Sequence, residues 1–341
     1  MYTDRCSLYA QIEAERNSKV LAYVTGDRPG MEIQIASDVL DYVSDHLNVL
    51  GLPNKISLLV YSRGGDTLAA WTLANMIRQF CGEFEVLVPM KALSAATLIS
   101  LGANTIVMTK QATIGPIDPS VNSPLNPHVP GASDETRMPV SVEEVAAYFD
   151  LATNQVGIVS DEEKTRVFLK LADEVHPLAL GKVYRARTQI QQLAEKLLRS
   201  HTTDMDKIKK IVLALCSEAG SHDFTINRRA AREIGLGIET PSQGLYELLA
   251  AVHADLRTEL QLNCTFDQEA LLGQAATAAG ATPQPVDYAV VRGVLESIPG
   301  GSHRFMTRGR LSRVVMNTPA GQMPGVANQK TFEGWDHEPV K

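Results

Sequence analysis

Cysteine is scarce in this chain of 341 residues: only Cys6, Cys81, Cys216 and Cys264 occur. Four scattered thiols neither staple a small domain nor form a CxxC metal site, and they suit a reducing cytosol. An excess of positive charge is also lacking. Lysine and arginine number 32 against 39 acidic residues, a net charge of −7, and no long basic run occurs. That excludes a strongly basic nucleic-acid binder. Nowhere do about 18 apolar residues run together, so no membrane span is expected. The first twenty residues carry Asp4, Arg5, Glu13, Glu15 and Arg16 and no apolar stretch long enough for a signal peptide. A soluble, cytoplasmic protein is the expectation. HExxH, GxGxxG and Walker patterns are missing, and the eight histidines are dispersed. No metal, nucleotide or other cofactor is therefore expected.

What is present is ordinary globular material, 44% hydrophobic and 21% charged, long enough to bury a large core. The length suggests about two domains. Short apolar runs at 19–24, 56–61, 84–88 and 105–108 read as strands. Between them, 36–50, 67–80 and 94–102 carry helical stripes such as Val39, Val43, Leu47 and Leu50. Continuously apolar strands alternating with helices predict a mainly parallel sheet covered on both faces. Residues 120–139 are rich in Pro, Ser and Asn and read as a long loop. Ser141-Val142-Glu143-Glu144 and Ser160-Asp161-Glu162-Glu163 are S-x-x-E helix starts. Helices are predicted near 141–152, 160–174, 177–200, 204–217 and 242–260, with a short one inside 224–238. After about residue 317 apolar periodicity fades, and an extended or disordered tail is expected.

Two strand-to-helix junctions carry the chemistry. In parallel sheets, ligands sit beyond the carboxyl ends of the strands. The first junction reads Ser62-Arg63-Gly64-Gly65-Asp66-Thr67. A Gly-Gly pair before a helix lets the backbone approach a ligand and aims free N–H groups at it; the competing reading is a plain tight turn. The second runs from Pro89 to Thr97, and Ser94 opens a helix among small residues. Small neighbours leave room for a carbonyl beside the hydroxyl. The Ala95 N–H lies in the first turn, where amides lack internal partners. Together with Gly64 or Gly65 it would form a two-donor oxyanion hole, worth about 3 kcal/mol per donor. The competing reading makes Ser94 only an N-cap.

The segments LLVYSRGGDTLAA, KALSAATLISLGANTIVM and ATIGPIDP, in this order, resemble the Clp-protease/crotonase superfamily. SHDFTINRRAAREIGLGIE extends the resemblance to the SDH ("serine dehydrogenase proteinase") family of Clp-fold serine proteinases, across roughly 18–240. The resemblance implies an α/β, ClpP/crotonase-like fold of repeated β-β-α units with a mainly parallel sheet and helical additions. It implies a serine peptidase acting on a peptide or protein, with Ser94 as nucleophile and Gly65 and Ala95 as oxyanion donors. Homo-oligomers are common in that superfamily, and a separate regulatory partner is compatible with it. No NAD activity follows from the family's name, because no dinucleotide fingerprint is present.

Serine needs a base at neutral pH. Clp peptidases use a histidine at the end of the next strand, but Gly115-Pro116-Ile117-Asp118-Pro119 contains none. Signal-peptide-peptidase-type enzymes use a Ser-Lys dyad. No lysine occurs between Lys110 and Lys164, which leaves Lys164, Lys170 and Lys182. Lys182 is favoured because it follows an apolar stretch and a glycine, a setting that suits a partly desolvated amine. His222 is the rival, ahead of His128 and His176. Lys91 reads as structural, and Asp66 or Asp118 would orient a base or cap a turn. The expected organisation is an N-terminal arm (1–17), the proteinase core (18–240), a C-terminal helix and mixed segment (241–316) and an extended tail (317–341). The competing functions are a non-catalytic Clp-fold assembly module and a crotonase-like acyl-CoA enzyme.

Overall fold

A computed structural model describes residues 1–117, 120–121, 123–129, 131, 136–216, 224–275, 284–318 and 321–338. The chain opens with α1 (Tyr2–Arg16), β1 (Lys19–Thr25), α2 (Leu40–Leu50), β2 (Lys55–Tyr61), α3 (Thr67–Phe80) and β3 (Glu83–Val88). Next come β4 (Lys91–Ala92), α4 (Ala95–Leu101), β5 (Thr105–Met108), β6 (Thr113–Ile114), β7 (Ser120–Val121) and β8 (Val140–Ser141). A helical stretch follows: α5 (Val142–Asp150), α6 (Asp161–Glu174), α7 (Pro177–Arg199) and α8 (Met205–Cys216). The rest is β9 (Ile226–Asn227), α9 (Arg228–Ile234), β10 (Ile238–Glu239), α10 (Gln243–Glu259), α11 (Gln268–Ala275) and the strands β11 (Val286–Ser297), β12 (Gly301–Thr318) and β13 (Gly321–Glu338). The strands expected at 19–24, 56–61, 84–88 and 105–108 are all present.

One sheet organises the molecule, in the order β10-β5-β3-β2-β1-β11-β12-β13. Its first five strands are parallel and its last three antiparallel. The parallel strands are largely apolar because both faces are covered, with Ser57 and Glu85 as buried polar exceptions. On one face, Leu21, Ile56, Leu58, Phe84, Val86 and Ile106 meet Val43, Leu47, Leu73, Ile77, Leu98, Leu193 and Leu197 from the helices α2, α3, α4 and α7. On the other, Val20, Ala22, Leu59, Leu87 and Val107 meet Tyr9 and Ile12 of α1 and Leu245, Leu249 and Val252 of α10. Residues 1–17 are thus a packed helix. Its buried Arg5 pairs with Glu296 of β11 and with Asp255 and Glu259 of α10. Residues 241–316 supply α10 to the same core and β11 and β12 to the same sheet.

Within the expected tail, Gly321–Glu338 is a strand, β13, and it is not loose. β13 pairs with β12 along its whole length. Trp335 packs edge-on against Phe305, and its indole N–H donates to Asp38 (3.1 Å). Cross-strand pairing and one aromatic anchor do what apolar periodicity does elsewhere. The middle helices fall close to expectation. The Glu163 N–H donates to Ser160 Oγ (3.2 Å) and the Glu144 N–H to Ser141 Oγ (3.3 Å). α7 packs through Ile190, Leu193, Ala194 and Leu197, whereas α6 has no buried residue at all. Among the described residues, no helix is long and apolar enough to cross a membrane.

Candidate active site

β2 and β3 end side by side, and the chain beyond each turns into the same corner. Ser62, the residue after β2, donates its N–H to the Lys91 carbonyl (3.2 Å) and accepts from the Leu93 N–H (3.0 Å). These bonds clamp the Gly-Gly turn against the segment that leads into α4. β4, β6 and β9 form a small second sheet beside it. Thr97 of α4 locks the floor: its Oγ1 lies 2.7 Å from the Ala92 carbonyl and accepts from the Gly115 N–H (3.1 Å).

Ser94 heads α4 with φ 51° and ψ −114°, a conformation that non-glycine residues rarely adopt. Such strain costs about 1–3 kcal/mol and persists only where the surroundings enforce it. An ordinary N-cap has β-region dihedrals and a side chain that accepts from the first turn. Ser94 has neither, since its hydroxyl makes no cap bond. Among the described residues it has no hydrogen-bond partner, so the N-cap reading fails.

Gly64 faces Ser94 directly, while Gly65 abuts Ile35. Gly64 has φ 114°, and a Cβ placed there would lie 2.7 Å from Ser94 Cβ and 3.2 Å from the Ala95 nitrogen. Gly65 has φ 146°, and a Cβ there would strike the Ile35 backbone. Ile35 braces this turn from outside: its N–H donates to Gly64 O (2.9 Å) and its carbonyl accepts from the Asp66 N–H (2.8 Å). The two glycine amides differ. The Gly64 N–H donates to Ser62 Oγ (2.9 Å). The Gly65 and Ala95 N–H groups have no partner among the described residues.

The candidate bases are scattered. Lys182, on α7, donates to Ser123 Oγ (3.1 Å), not to Ser94. Lys164 and Lys170 lie on the exposed α6, beside Asp161 and Glu174. His176 caps α7 by accepting from the Leu178 N–H (3.2 Å), and His128 bridges to Arg137. His222 and Asp118 lie outside the described residues. Asp66 caps α3, accepting from the Ala69 N–H (2.7 Å). Among the described residues, no lysine or histidine reaches Ser94.

A polar cluster that sequence reasoning missed sits at the ends of β1 and β2. Lys91 Nζ donates to Asp27 (2.7 Å) and lies over the Tyr61 ring. Tyr61 donates to the other Asp27 oxygen (2.7 Å). Burial alone would raise the Asp27 pKa, but the hydrogen bonds from Lys91 and Tyr61 outweigh it and hold the carboxyl below its usual range. Burial, then Asp27, pushes the Tyr61 phenol up. His253, beside Tyr61, is lowered by burial and then by Arg257 and Lys91. The Lys91 ammonium is thus held by a carboxylate and an aromatic ring. The sequence carries no signal for this cluster, because Asp27, Tyr61 and His253 come from three distant elements.

The mixed α/β sheet, the small second sheet and the strained serine against a Gly-Gly turn make a ClpP-like α/β fold. Residues 38–135 match the family of ClpP-like SDH-type serine proteinases, which is the resemblance that the three motifs carry. Two uncharacterized proteins of Methanocaldococcus jannaschii are similar in sequence. One is 29% identical over 185 residues, covering 54% of each chain. The other is 27% identical over 195 residues, 57% of this chain and 56% of the relative. The chain thus spans about half the length of the curated relatives it matches. Among solved structures, a membrane-bound stomatin-specific protease aligns over 68% of this chain and 85% of its own at 14% identity and a TM-score of 0.39. ClpP1 from Listeria monocytogenes aligns over 69% and 98% at 14% identity and a TM-score of 0.34.

Proposed function

We propose that the chain is a serine peptidase working by acyl transfer through Ser94. The observation that carries this reading is the strained Ser94, with two amides, Gly65 and Ala95, that have no partner among the described residues, on the segments that meet at it. Strain at a strand-to-helix turn is what an exposed nucleophile requires. Free backbone donors are what a developing oxyanion requires. Ser94 Oγ attacks the peptide carbonyl while a base takes its proton. The carbonyl oxygen becomes an oxyanion held by the Gly65 and Ala95 N–H groups. Collapse expels the amine, which recovers the proton from the base, and water then releases the acyl group by the same steps. Gly64 serves by lacking a side chain, not by donating.

We assign the base to Lys182, which leaves Ser123 for Ser94 when a substrate or a neighbouring copy of the chain completes the site. Its part-buried hydrogen bond to a serine hydroxyl supports this reading. A homo-oligomer acting on peptide or protein substrates is part of the same proposal. The test is covalent labelling by a fluorophosphonate probe. The wild type is expected to label at Ser94 and the Ser94→Ala variant not at all; folded wild type that never labels sinks the reading. Labelling that survives Lys182→Ala but is lost in His222→Ala transfers the base role to His222.

A further inference from the structure

We propose that Ser62, supported by Thr25, is a positioning residue that decides which glycine amide is presented to the reacting carbonyl. This rests on the acyl-transfer reading above. Ser62 is fully buried and Thr25 nearly so. Ser62 Oγ accepts two hydrogen bonds, one from Thr25 Oγ1 (2.6 Å) and one from the Gly64 N–H (2.9 Å). Its own proton is left to point at the Gly64 carbonyl (3.4 Å).

The pair has more than a filling role. Two buried hydroxyls need partners, because an unmade hydrogen bond in the interior is costly. Thr25 and Ser62 could satisfy one another alone, yet Ser62 also takes the Gly64 amide. It is the same residue whose main chain bonds Lys91 and Leu93, on the approach to Ser94. One residue therefore connects the end of β1 and the Gly-Gly turn, through its side chain, with the strand that delivers the nucleophile, through its main chain. With the Gly64 amide consumed, the turn cannot rotate that N–H into the site. The positive φ of both glycines is then fixed in the form that leaves the Gly65 N–H free. A donor locked before the reaction costs no reorganisation when charge develops, which is where such holes derive their effect.

The test compares Ser62→Ala, Thr25→Val and Thr25→Ser with the wild type on a p-nitrophenyl ester, with active sites counted by fluorophosphonate titration. The expected kcat per titrated site falls about 30-fold in Ser62→Ala and about 5-fold in Thr25→Val, and returns to within about 2-fold in Thr25→Ser. KM stays within about 2-fold, and the pH profile keeps its midpoint because the base is untouched. A Ser62→Ala enzyme with wild-type kcat per site overturns the proposal. So does a loss in Thr25→Val that Thr25→Ser fails to rescue. If Ser62→Ala does not fold, the two Thr25 variants decide by the same criterion. Wild-type protein that never labels is a failure of the peptidase reading itself, recognisable because it precedes any variant.

Discussion

The corner around Ser94 and the helical layer that carries Lys182 are built to different standards. The corner is made of backbone. Two positive-φ glycines, a strained serine, the Ile35 brace and the Thr97 lock leave almost no freedom. The helical layer is unevenly packed: α7 buries Ala179, Val183, Ile190 and Leu197. α6 buries nothing, and Phe168, Leu169, Leu178 and Tyr184 are exposed. On the proposed reading, the half of the site that stabilises charge is preformed, while among the described residues no base is bonded to Ser94. The physical reason is that oxyanion donors are main-chain groups fixed by local turns. A base sits at the end of a long side chain and depends on how a separate layer docks.

The sharpest way to break this contrast is Lys182→Ala. If Lys182 becomes the base, hydrolysis falls about 1000-fold, within the reach of general-base catalysis. Thermal stability barely changes, because only one part-buried hydrogen bond is lost. Unchanged turnover would mean that the helical layer contributes no proton chemistry. Next comes Gly64→Ala. Its Cβ cannot coexist with Ser94 at 2.7 Å, and φ 114° strains any L side chain. We expect activity to drop about 100-fold and stability by about 2–3 kcal/mol in urea titrations. Wild-type labelling of this variant would show the corner to be softer than it looks.

A third measurement uses pH. His46 Nε2 lies 2.9 Å from His303 Nδ1, and His337 stacks on His303 at 4.2 Å between ring centroids. Burial first, then the neighbouring histidine rings, pushes His46 down to about 3 and His303 down to about 4. Both are bases held neutral, so the unfolded chain binds more protons than the folded one below the unfolded value of 6.5. Their contribution is complete above about pH 6.5 and is lost as pH falls towards 4 and below. The expected loss is about 2 kcal/mol for each ring between pH 7 and pH 4.5, read by urea titration. His46→Phe should flatten that dependence, and a full pH dependence in this variant would refute the assignment. The smallest effect is reserved for α6. Phe168→Ser should change monomer stability by no more than about 0.5 kcal/mol, since nothing there is buried. A loss of several kcal/mol would mean that α6 is packed in solution.

Much of the parallel half of the sheet was legible because its strands are continuous apolar runs. Ser160 and Ser141 announced their helices by spacing alone. The Gly64-Gly65 and Ser94 junctions were legible for a related reason, since glycine and small residues beside a serine are local requirements of a tight corner. The tail was harder to read. Gly321–Glu338 has little apolar alternation, and its strand exists because β12 supplies every partner and Trp335 finds Asp38. The resemblance pointed to Gly65, but the bond that occupies the Gly64 amide was out of reach, because it runs to Ser62 Oγ, which Thr25 meets across neighbouring strands.

The sequence by itself determined the α/β alternation, the nucleophile candidate and the lack of any metal or nucleotide signature, all properties of short segments. Only the tertiary structure decided that Ser94 is strained and not a cap, that the Gly64 amide is spent and the Gly65 amide free, and that Lys91 is held by Asp27. Each of these depends on contacts between residues far apart in the chain, and local sequence carries no energy term for a partner that folding has yet to bring near.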